Sequence, residues 1–94
     1  MSLEELRNEI NALDLQILGL IKNRLEIAKK IGVYKKEHKY PVRNVKIEEK
    51  VIERAKDYAL NLGIPTELAT QVIRLLIEFS VKIQLQNWSN SLND

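Results

Sequence analysis

Seven side chains of this sequence are of the kinds that handle a small anion, and their spacing groups them. Arg24 and Lys35 are eleven residues apart, close to three full helical turns, so on one helix they point the same way with backbones about 16 Å apart. Two long cationic side chains so placed reach toward each other and grip one small molecule. Arg24 also stands where an apolar residue is due, and a cation on a buried face is costly unless something anionic meets it. Arg7 lies about 25 Å from Arg24 along the same helix, too far to share that ligand within one chain. Ser80 and Gln84 are spaced i, i+4 in an otherwise apolar stretch, on the stripe of Ile73 and Ile77. Asn44 and Glu48 repeat that spacing at the start of another segment. Three cations, one carboxylate and three neutral hydrogen-bonding groups suit a small polar dianion that carries a hydroxyl.

Taken singly, most of these residues have a plainer explanation. Arg7 pairs with Asp14 or snorkels to water. Arg24 pairs with an acid of a partner chain. Lys35 belongs to a solvated face, and Ser80 bonds back to its own helix. Gln84 fixes helix register, while Asn44 and Glu48 only cap. Their joint placement is what favours a site.

Composition removes other chemistries. There is no cysteine and a single histidine, His38, so no thiolate metal site, histidine metal site or Ser/His triad is expected. The charge is +2, from 15 basic and 13 acidic residues, and does not by itself suggest nucleic acid. Lys29, Lys30, Lys35, Lys36 and Lys39 form a basic stretch, but Glu26 and Glu37 interrupt it and a solvated face is the ordinary outcome. No apolar run approaches a membrane span and no signal peptide precedes the first helix, so a soluble cytoplasmic protein is expected. The sequon Asn87-Trp88-Ser89 is read as chance.

The elements that must position these residues are helices. Leu3, Leu6, Ile10, Leu13, Ile17, Leu20, Ile27 and Ile31 recur at alternating steps of three and four, the seam of one long helix. Ser2 and Glu5 form a capping box, and the helix is predicted over about 2–38, with Gly19 and Gly32 as the points where a neighbour approaches or the helix breaks. Tyr40-Pro41-Val42-Arg43 reads as a connection. Helix 2 is predicted over about 44–62, with Asn44 as N-cap and Gly63 after its end, and helix 3 over about 65–88, followed by a frayed polar tail, 89–94. Helix 3 is apolar on most sides and is expected to be buried all round.

One chain does not suffice to bury the first helix. At about 36 residues it is roughly 54 Å long, whereas a compact chain of this size is about 30 Å across. The seam stays apolar throughout, and a second copy related by a twofold axis covers it. If that axis passes near Leu15 and Gln16, the mate's Arg7 lies opposite Arg24. The expected architecture is therefore all-α, three helices per chain in an intertwined homodimeric bundle, with residues 1–94 as a single domain. A first helix broken at Gly32, giving a monomeric four-helix fold, is the alternative.

Taken in order, these residues resemble the all-helical chorismate mutase family over nearly the whole chain. The matching pieces are Leu6-Arg7-x-x-Ile10-x-x-Leu13-Asp14, Asn23-Arg24-x-x-x-Ala28, Lys35, Pro41-Val42-Arg43-Asn44-x-x-x-Glu48 and Ile77-Glu78-x-Ser80-Val81-x-x-Gln84. The resemblance implies a Claisen rearrangement of chorismate to prephenate, on the route to phenylalanine and tyrosine, by a stand-alone enzyme without cofactor or metal. It implies an intertwined dimer with two shared sites. Arg24 and the partner's Arg7 would bind the substrate's carboxylates, Lys35 and Gln84 would donate to the ether oxygen, and Glu48 would hold the ring hydroxyl beside Asn44 and Ser80. Ile47 stands where the family often has an arginine, for which Arg43 or Lys46 would substitute, and Asn44 stands where aspartate is frequent. The alternatives are an isochorismate-pyruvate lyase on the same scaffold and a non-catalytic helical dimerisation module.

Overall fold

The computed structural model describes residues 1–93, which form three helices and no strand: α1 (Leu3–Glu37), α2 (Val45–Leu62) and α3 (Thr66–Asn93). α1 starts where Ser2, in extended backbone, accepts from the Glu5 N–H at 3.1 Å, with Glu4 and Glu5 at the positive end of the helix and Lys35 and Lys36 at the negative one. It is continuous through both Gly19 and Gly32, so the helix broken at Gly32 does not form. Beyond it, Lys39 takes a left-handed φ of 60° and turns the chain toward Pro41. α2 is capped by Asn44, whose Oδ1 accepts from the Ile47 N–H at 3.2 Å, and ends at Gly63 with φ of 72°, a conformation glycine adopts without a Cβ penalty.

One boundary differs from the sequence reading. α3 does not stop near Trp88 but runs on to Asn93, because no glycine or proline follows Trp88 to end it. Of the tail expected to fray, only Asp94 lies outside the described residues.

α3 is the central element: α1 packs on one side of it and α2 on another, and α1 and α2 do not pack on each other. Among the described residues the buried side chains are few, namely Ala28, Val42, Ala59, Ile77 and one polar residue, Gln84. Gly32 is buried where α1 meets α3, and a Cβ added there would lie 2.8 Å from Gln84 Cγ and 3.2 Å from Gln84 Cα. The nearer atoms belong to the base of the side chain and to backbone, so they do not move aside without parting the helices. Gly32→Ala is expected to destabilise the fold by about 1–3 kcal/mol despite alanine's better helix propensity, read as a lower denaturant midpoint.

The chain is far from compact. Its radius of gyration is 16.8 Å and its extents are 55 × 29 × 14 Å, against a radius of about 12 Å for a globule of this length. Residues 1–20 are exposed throughout, and the seam residues Leu3, Leu6, Ile10, Leu13, Ile17 and Leu20 are 42–67% accessible. Nor is α3 buried all round within one chain: Leu68, Val72, Leu75, Phe79 and Leu85 remain exposed, because two neighbouring helices leave a flank uncovered. Among the described residues no helix is long and apolar enough to cross a membrane.

Candidate active site

The C-terminal half of α1, the 38–44 connection, the start of α2 and the middle of α3 enclose a cleft of about 680 Å³. Arg24, Lys35, Asn44, Glu48, Ser80 and Gln84 all line it. Each arrives there by a local rule. Arg24 and Lys35 share a face of α1 because eleven residues nearly complete three turns. Asn44 and Glu48 flank the first turn of α2, fixed by the Asn44 cap. Ser80 and Gln84 lie one turn apart on α3.

The half-buried Arg24 guanidinium is held from α3. Its Nη1 donates to the Ser80 hydroxyl and, at 3.2 Å, to the Leu76 carbonyl, to which Ser80 Oγ also donates at 2.8 Å. Its other N–H groups make no hydrogen bond among the described residues. Lys35 Nζ donates to the Val42 carbonyl at 2.6 Å, which ties the end of α1 to the connection. Burial pushes the Lys35 ammonium below the ordinary lysine value, and the nearby Glu48 carboxylate offsets part of that shift. Gln84 is 5% accessible, and its Oε1 is buried without a hydrogen-bond partner among the described residues. An unpaired buried polar atom is costly, so a carboxamide held there has unused capacity for a polar guest.

The remaining candidates are not in the cleft. Arg7 sits on the exposed first half of α1, with no ion pair among the described residues, to Asp14 or otherwise. Lys46 is exposed and makes no hydrogen bond or ion pair among the described residues. Arg43 is engaged by acids: Nε and Nη2 hold the Glu48 carboxylate at 3.0–3.3 Å, and Nη1 lies 3.9 Å from Glu78. The Glu48 hydrogen bonds raise the Arg43 pKa further, keeping it cationic.

Several functional features escape a sequence reading. The Val42 carbonyl that holds Lys35 is backbone, and no side-chain pattern announces it. The apolar walls, Ile27, Ile31, Val51 and Val81, line the same cleft. Each stands one helical turn from Arg24, Lys35 or Glu48, or beside Ser80, and Ile27 and Ile31 belong to the apolar seam of α1. Ile47 also lines the cleft and adds apolar surface.

Comparison with known proteins adds the following. Residues 6–85 match the family described as chorismate mutase type II. The chain is 33% identical over 91 residues to the bifunctional chorismate mutase/prephenate dehydratase of Escherichia coli (strain K12), covering 94% of this chain and 24% of that protein. It is 31% identical over 78 residues to the protein of the same name from Buchnera aphidicola subsp. Acyrthosiphon pisum, covering 83% of this chain and 20% of that one. The T-protein of Haemophilus influenzae is 27% identical over 92 residues, covering 98% of this chain and 24% of its own. The chain thus spans between 20% and 24% of the length of these curated relatives. Among solved structures, a conserved hypothetical protein from Pyrococcus furiosus superposes with a TM-score of 0.71 at 36% identity, over 87% of this chain and 93% of that one.

Proposed function

The chain belongs to the chorismate mutase type II family, and from that premise we propose that it is an isomerase that converts chorismate to prephenate, as a single domain whose two cleft-bearing copies complete each other. The observation that carries this reading is the convergence of six polar side chains from three helices on one cleft of about 680 Å³, a size suited to a small ligand.

The reaction is a concerted rearrangement. The ether C–O bond breaks as a new C–C bond forms, six electrons shift around the ring of reacting atoms, and no proton leaves. The protein's task is to hold the substrate folded and to stabilise the charge that grows on the ether oxygen. Arg24, already oriented by Ser80 and Leu76, offers its remaining N–H groups to one carboxylate. The partner's Arg7 serves the other. Lys35 exchanges the Val42 carbonyl for the ether oxygen, and Gln84 donates an Nε2–H to the same atom from α3. Glu48 accepts from the ring hydroxyl, steadied by Arg43, with Asn44 beside it. In this reading Arg43 positions Glu48 rather than gripping substrate, and Ile47 meets the ring with apolar surface.

The dimer rests on the uncovered seam of α1 and on Arg7, which finds no ligand partner within its own chain. Purified protein is expected to consume chorismate, followed as loss of its ultraviolet absorbance, and to yield prephenate, with Arg24→Ala greatly slowed. Release of pyruvate from isochorismate with chorismate untouched would instead assign the lyase. No turnover of either substrate would leave a helical dimerisation module.

A further inference from the structure

Gln84 is one of two groups assigned to the ether oxygen, yet no side chain hydrogen-bonds its carboxamide among the described residues. Its position must be fixed from elsewhere. One turn further along α3, the half-buried Trp88 donates its indole N–H across the helix pair to the Gly32 carbonyl at 2.9 Å. Gln84 itself lies against Gly32, so close that a Cβ there would be 2.8–3.2 Å from three of its atoms. Two residues of one α3 face therefore bracket a single residue of α1: Gln84 against the Gly32 Cα, Trp88 on its carbonyl. Gly32 is in turn three residues before Lys35, on the same side of α1, a rise of about 4.5 Å. The bracket sits immediately beside both proposed donors.

Arg24 already ties α1 to α3 through the Leu76 carbonyl and the Ser80 hydroxyl, but it does so by a long, flexible side chain eight residues before Gly32, and a single such tether leaves α1 free to pivot about it. A second directed hydrogen bond, from Trp88 to the Gly32 carbonyl, adds a fixed point about 12 Å further along α1 and so sets its axial register and rotation against α3 beside the two donors. We propose that Trp88 is a positioning residue: its bond to the Gly32 carbonyl sets the α1–α3 register that holds Gln84 and Lys35 at the separation the reaction needs. The proposal rests on the mutase reading for its kinetic consequence, while the bond itself is testable without substrate.

Trp88 is the only tryptophan in the chain, so its indole proton gives one assignable resonance. In the unliganded protein that proton is expected to exchange with solvent far more slowly than free indole. Exchange at the free rate would overturn the proposal whatever the protein catalyses. The kinetic arm uses Trp88→Phe, which keeps an aromatic ring and removes the N–H. The variant is expected to fold and to lose roughly tenfold to a hundredfold in kcat, the scale of a misplaced catalytic group, with KM little changed. The same substitution made in a Gln84→Ala background is expected to cost several-fold less, because the group being positioned is gone. Equal losses in both backgrounds, or a change confined to KM, would reduce Trp88 to general support of the fold and overturn the proposal. Absence of wild-type turnover with a protected indole proton would refute the mutase reading and leave the register bond standing.

Discussion

Replacing Lys35 with alanine is expected to slow chorismate turnover at least a hundredfold and to leave the helices in place. The ammonium is the one full positive charge assigned to the ether oxygen, and removing a preorganised donor to a developing oxyanion costs about 3 kcal/mol of transition-state stabilisation. The fold tolerates the loss because Lys35 makes one hydrogen bond, to the Val42 carbonyl, and its burial disfavours its own charge. Gln84→Ala follows the same logic, with the added benefit to the fold of removing a buried oxygen that lacks a partner. Steady-state kinetics with circular dichroism of each variant checks both halves, and unchanged turnover in both variants would sink the assigned mechanism.

The pH dependence gives Lys35 a second signature. Its pKa is lower in the folded chain than in the unfolded one. As pH rises through the folded value, the native side chain loses its proton first, so activity falls on the alkaline side before an ordinary lysine titrates. Over the same window the unfolded state binds more protons than the native state, so the contribution of Lys35 to stability rises with pH. A decline in kcat/KM without loss of helicity is the expected result, and the decline is expected to be absent from Lys35→Ala.

Mixing two inactive variants is expected to restore activity. Arg7→Ala and Arg24→Ala each remove a carboxylate clamp, and each alone is expected to lose turnover by a hundredfold or more, since both clamps fold the same substrate. Arg7 stands on the half of α1 that is exposed in its own chain, whereas Arg24 lines the cleft. In a twofold dimer drawing Arg7 from the mate, a mixed pair has one site with both arginines and one with neither. After dissociation and random reassociation, about one quarter of all sites are intact, so activity recovers to about a quarter of wild type. Recovery on mixing, followed by sedimentation to verify the dimer, distinguishes a shared site from a self-sufficient one. No recovery from two folded, dimeric variants would place both arginines in one chain's site and contradict the sharing.

The sequence displayed the helices because their punctuation is local. Ser2, Asn44 and Gly63 each act within a few residues, and each sits at the boundary its chemistry requires. The end of α3 was misplaced since polar composition after Trp88 suggests fraying but contains no residue that stops a helix. Six cleft residues were visible because a polar side chain inside an apolar stripe, as with Arg24, Ser80 and Gln84, conflicts with its surroundings. What stayed hidden depends on contacts between distant segments. The Val42 carbonyl under Lys35 and the indole of Trp88 on Gly32 come from pairs whose encounter only the assembled fold defines. Arg43 looked like a spare cation because the sequence does not show that Glu48 and Glu78 both reach it.

The bare first half of α1 has a thermodynamic consequence. In the proposed dimer, a greasy rod that its own chain leaves wet ties folding to encounter between copies, so the midpoint of thermal unfolding is expected to climb with protein concentration. On the proposed reading, dilution would abolish the catalyst by dismantling it, and the amount of chain made would decide whether any working enzyme exists as well as how much.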